Sequence, residues 1–90
     1  MDNYLGLMVI SLAGRDKGKI AAVISADGNF VMIADGRIRK TEAPKKKKLK
    51  HIRVIDGVDE KLIKLEPEKL TNRLIRERVN EIEKALGTAV

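Results

Sequence analysis

The hydrophobic pattern of the chain changes character once. Up to about residue 55, apolar residues come in short runs separated by glycine-containing turns; beyond residue 58 they recur at helical spacing. Residues 8–13, 20–26 and 29–34 are apolar, β-rich runs. The first break is Gly14-Arg15-Asp16-Lys17-Gly18. The next two are Asp27-Gly28 and Asp35-Gly36, the pair that best adopts the positive φ of a two-residue hairpin. Consecutive hairpins predict an antiparallel meander, with residues 37–41 as a fourth strand and 50–55 as a fifth, closed by Asp56-Gly57. Strands this short and tightly turned suggest a small closed barrel, which removes exposed sheet edges. Both strand faces are apolar. Met8, Ile10 and Leu12 alternate with Val9, Ser11 and Ala13, and Phe30 and Met32 with Val31 and Ile33. A freely solvated outer face is more polar than that, so part of the barrel needs a cover. Phe30 is expected to enter the barrel core.

The second half supplies the cover. Asp59 can cap a short helix over residues 60–65, and Pro67 disfavours helical geometry at Glu66. Thr71 can cap a longer helix running to Leu86, stopped by Gly87. Leu74 or Ile75, Val79, Ile82 and Leu86 form one apolar stripe. The other face, with Arg73, Arg76, Glu77, Arg78, Glu81, Glu83 and Lys84, reads as solvated. The expected architecture is mainly β with C-terminal α: a barrel of about five strands over residues 1–57, including a basic loop at 42–50, and a helical cap over 58–90. Ninety residues make one structural unit.

Charge sharpens the picture. Residues 37–53 hold nine basic residues and one acidic, a net +8, while the rest of the chain sums to −2. A single positive block on an otherwise balanced protein points to a polyanion partner. Cysteine is absent, which excludes a disulfide scaffold, a thiolate zinc site and a cysteine nucleophile. A single histidine, His51, excludes a histidine metal site or a serine–histidine triad within one chain. The glycines at 14 and 18 are too closely spaced for a P-loop, and the acids sit in turns and at helix caps or on helix faces. No enzyme activity, cofactor, metal or small-molecule substrate is expected. The longest uncharged stretch, residues 3–14, is too short to span a bilayer, so the expected location is cytoplasmic, with no membrane partner.

The Gly14–Lys19 segment carries a further signal. In VISLAGRDKGKIAAVIS (residues 9–25), a strand leads through a glycine-bounded basic turn into a second apolar strand. This resembles the KOW motif of ribosomal proteins and transcription-elongation factors, with Gly18 as its fixed glycine and residues 8–34 as its extent. A tight turn lets the backbone approach a phosphate, and Arg15, Lys17 and Lys19 add charge. VMIADGRIRKTEAPKKKKLKHI (residues 31–52) resembles the central signature of one subgroup, the archaeal and eukaryotic large-subunit ribosomal protein of the fourteen-e type with its short bacterial-like forms. Asp35, Gly36, Arg39, Lys40, Pro44, Leu49, Lys50 and His51 carry the match. LTNRLIRERV (residues 70–79) resembles the Thr-Asn-basic helix of the same family. The resemblance implies an SH3-like barrel that binds RNA.

Residue chemistry limits how such binding works. Lysine dominates the block and suits phosphates rather than bidentate base reading. Tyr4 and Phe30 are the only aromatics, too few for a base-stacking platform. The expected function is docking of structured RNA through its backbone, as a ribosomal or ribosome-associated component of translation with RNA and other ribosomal proteins as partners. The candidate contacts are Arg15, Lys17, Gly18, Lys19, Arg37, Arg39, Lys40, Lys45, Lys46, Lys47, Lys48, Lys50, His51 and Arg53. The alternatives are an SH3-like protein-interaction module, such as a polymerase-associated KOW domain, and non-specific DNA binding.

Overall fold

The structure is a computed structural model that describes residues 2–87. Five antiparallel strands form one sheet: β1 (Met8–Ser11), β2 (Ile20–Asp27), β3 (Phe30–Ala34), β4 (Lys45–Lys48) and β5 (Ile52–Val54), in the order β4-β3-β2-β1-β5. One α-helix, α1 (Asn72–Leu86), follows. The register runs through Val9↔Ala21, Val9↔Val54, Val23↔Ile33 and Val31↔Lys47, with an irregularity between Val23 and Ser25 in β2.

Both sheet faces bury apolar side chains, as the two-sided pattern required. One face carries Val9, Ala21, Val23, Val31, Ile33 and Ile52 in a single buried cluster. The other carries Met8, Ile20 and Ala22, which pack with Ile55, Leu65 and the helix residues Ile75 and Ile82. Ile75 and Ile82 have no exposure to solvent. Residues 63–65 run beside residues 6–8, where Met8 N–H donates to Ile63 O (2.8 Å) and Leu65 N–H to Gly6 O (2.8 Å). The α1 ends follow the sequence reading. Thr71 Oγ1 accepts from Leu74 N–H (3.3 Å), and Gly87 N–H closes the last turn on Lys84 O (3.1 Å).

Five expectations need correction. Residues 37–41 are not a strand. The Asp35 carboxylate accepts from the N–H groups of Arg37 (2.8 Å) and Arg39 (3.0 Å), which bends the chain into a loop. The fourth strand is instead the lysine run, expected as part of a loop at 42–50. The short helix at 60–65 shrinks to a 3-10 turn, Glu60–Leu62, still capped by Asp59, which accepts from Lys61 N–H. Phe30 does not enter the core. It lies half-buried on the open side of β3, with Lys46 Nζ 4.3 Å from its ring centre. Finally, part of the polar face of α1 is tied to the protein. Arg78 Nη1 lies 3.0–3.2 Å from the carbonyl oxygens of Lys61, Leu62 and Lys64, and Arg76 Nη1 donates to Gly36 O (3.0 Å).

Candidate nucleic-acid interface

Two basic loops and one basic strand converge at one end of the sheet, where β2 and β4 begin and β3 ends. The first loop is the β1–β2 turn. Ser11 N–H donates to Lys19 O (3.0 Å) and Gly18 N–H to Ser11 O (2.8 Å), which pins the turn at its base. Gly18 has φ +87°, a left-handed conformation that side chains with a Cβ rarely adopt, and its surroundings are open. The sequence expectation of a Cβ-free turn position is met there. Arg15, Lys17 and Lys19 are exposed around it.

The strand beside it separates its lysines by alternation. Lys45 and Lys47 turn toward Asp16 in the β1–β2 turn. Lys47 is only 7% exposed. Its ammonium pairs with Asp16 Oδ1 at 2.8 Å and donates to Ala13 O at 2.6 Å. Lys45 Nζ stands 3.9 Å from Asp16 Oδ2. The Ser11 hydroxyl lies 3.1 Å from both Asp16 Oδ1 and Ala13 O, completing the network. Burial pushes the Asp16 carboxyl up, but hydrogen bonds from Lys47 and Ser11 outweigh it and hold the pKa below the ordinary aspartate value. Lys46 and Lys48 are exposed on the opposite side of β4.

The second loop, residues 35–43, is shaped by α1. The Asn72 side-chain oxygen accepts from Thr41 N–H (2.8 Å), and its amide donates to Glu42 Oε1 (2.6 Å). That bond, with a second from the Thr41 hydroxyl (2.9 Å), lowers the Glu42 pKa. One turn further along the helix, Arg76 holds Gly36 O. Gly36 (φ +80°) lies so close to the helix that a Cβ there would collide with Asn72 O. Arg37 Nη2 reaches Asn80 Oδ1 at 3.4 Å. The helix that covers the sheet is therefore also the scaffold on which Arg37, Ile38, Arg39 and Lys40 are displayed, all four of them exposed.

Between the two loops lies a pocket of about 170 Å³. Arg15, Lys19, Arg39 and Lys45 contribute its cations; Ile20, Ala21, Ile33, Ala34 and Ile38 contribute its apolar lining. Asp16 and Asp35 also border it, but both carboxylates already have partners in the network and the loop. Among the described residues, Arg15, Lys17, Lys19 and Arg39 carry no side-chain hydrogen bond or ion pair.

The candidate contacts thus divide. Arg15, Lys19, Arg39 and Lys45 meet at the pocket, with Lys17, Gly18, Arg37 and Lys40 on the same two loops. Lys47 is withdrawn from the surface by Asp16. Lys46 and Lys48 face the other way from Lys45. Lys50 and His51 lie in the 3-10 turn Leu49–His51 between β4 and β5, with Lys50 exposed and His51 half-buried, and exposed Arg53 lies on β5 opposite Ile10. Sequence reasoning missed Ile38, Asp16, Asn72 and Arg76. Ile38, an isoleucine inside a basic stretch, was the one visible signal among them. No protein-family model matches the chain, and no curated protein matches it.

Proposed function

We propose that this protein binds structured RNA through the phosphate backbone, as a KOW-type module of the translation machinery whose sheet forms an SH3-like barrel. The observation that carries the reading is a set of cations that make no ion pair within the described residues. Arg15, Lys19 and Arg39 surround one pocket, and hydrogen bonds to backbone and helix fix the loops that bear them. Cations without internal partners are suited to an external polyanion, and the backbone that bears them is already ordered before binding. The resemblance of residues 31–52 to a large-subunit ribosomal protein directs the proposal to ribosomal RNA. The protein-interaction alternative drew on the apolar outer face of the strands. At β1 and β2 that face is occupied by α1 and residues 63–65, which weakens it.

Ultraviolet crosslinking in cells, followed by sequencing of the attached RNA, tests the proposal. Enrichment of structured ribosomal RNA segments is expected. Recovery of no RNA above an untreated control, or of DNA alone, would refute it.

A further inference from the structure

The pocket between the two basic loops has a makeup that backbone docking alone does not use. Phosphate contacts need exposed cations, and the rim supplies them. The lining beneath is apolar, and Ile38 projects into solvent at 77% exposure from a loop that Asp35 and Asn72 hold in shape. A large apolar side chain fixed in water among arginines and lysines gains from being covered by another apolar surface. At about 170 Å³ the pocket is smaller than the roughly 300–1,000 Å³ of sites that enclose whole small-molecule ligands. A single planar base is a better match in scale. The two guanidiniums at the rim, Arg15 and Arg39, are groups on which unstacked bases pack in the absence of aromatics. Lys47 neutralises Asp16, so the one uncompensated carboxylate at the pocket is Asp35, whose Oδ1 is turned into its own loop by two backbone N–H groups.

Resting on the RNA reading above, we propose that this pocket receives one unpaired nucleotide of a bulged RNA helix. The base lies against the exposed Ile38 and the rim of Ile33, and the adjoining phosphates lie between Arg15, Lys19 and Arg39. Recognition of this kind makes the protein select a helix with an extruded nucleotide over an uninterrupted one. RNA sequence is read at loops and bulges whose bases are already unstacked, so the protein does not have to open a pair.

The test uses three RNA hairpins at one fixed salt concentration: a perfect duplex stem, the same stem with one bulged nucleotide, and the same bulge lacking its base. The abasic bulge keeps the phosphate and the bend but removes the base. Fluorescence anisotropy should show the bulged stem bound about tenfold more tightly than the other two, the scale of one stacked base. In Ile38→Ala the ratio of bulged to abasic affinity should fall toward one. Equal binding of bulged and abasic stems would overturn the inference while leaving backbone docking intact. A ratio unchanged in Ile38→Ala would move the base to another site and overturn the pocket assignment. Absence of binding to all three RNAs would remove the RNA reading itself, and this inference with it.

Discussion

Lys47 has the largest structural consequence of any side chain in the basic block. It belongs to a run of four lysines, and nothing in that run distinguishes it from its neighbours. Its role depends on a partner thirty-one positions earlier, Asp16, and on the alternation of a strand that hydrophobic patterning could not reveal. Removing one member of a buried ion pair leaves the other without compensation. Lys47→Ala is therefore expected to destabilise the protein by about 1–3 kcal/mol, less than for a fully buried pair because Asp16 keeps some contact with water. Lys46→Ala, on the exposed side, should change stability by less than about 0.5 kcal/mol. Denaturant titration of the two variants checks both values. The same pair sets a pH response. The folded-state pKa of Asp16 is depressed, so its contribution is complete above the unfolded-state value of about 3.9 and is lost as pH falls through the lower folded value. In acid titrations below about pH 4, the stability lost by wild type should exceed that lost by Asp16→Asn, which has no carboxyl to protonate there.

Among the elements, α1 was legible and β4 was not. Thr71, the stripe containing Ile75 and Ile82, and Gly87 are local signals, and each has the role in the structure that its residue type implies. The strand Lys45–Lys48 has no such signal. Lysine is a poor strand former, and the run becomes β4 because the edge of β3 is available for pairing. Charged residues are also what natural proteins place on terminal strands to discourage further pairing. Residues 37–41 failed in the opposite direction. The run of hairpins extended the meander into them as a fourth strand, but the Asp35 carboxylate takes the N–H groups that a ladder would need. The dependence of that loop on the helix is testable. Asn72→Ala removes the acceptor for Thr41 N–H and the donor to Glu42 while leaving Ile75 and Ile82 in place. RNA affinity is expected to fall about three- to tenfold with α1 still folded, because the loop cations must then be ordered on binding. Circular dichroism alongside the binding measurement separates the two effects. Unchanged affinity would show that the helix does not organise the loop for binding.

For the whole molecule, charge was the feature best read from the sequence, and its arrangement was the least. Counting residues located a net +8 within 37–53. The structure divides that block among a pocket rim, an internal ion pair and two sides of a strand, and brings in Arg15 and Lys19 from outside it. The two-sided apolar pattern foretold a cover, and α1 provides it on one face. That the cover also shapes the basic loop follows from contacts across thirty to forty residues, such as Asn72 to Thr41, which no local pattern encodes. The salt dependence of binding tests the central claim of phosphate docking most directly. If about five side chains meet phosphates, the logarithm of affinity for an RNA hairpin should fall against the logarithm of salt concentration with a slope of about −4 to −5, taking the duplex coefficient as a guide. Replacing Arg15, Lys19 and Arg39 together with alanine, with Lys47 left in place to preserve the fold, should flatten that slope by about 2–3 while thermal melting stays unchanged. A slope identical in wild type and triple variant, with both proteins folded, would contradict the account.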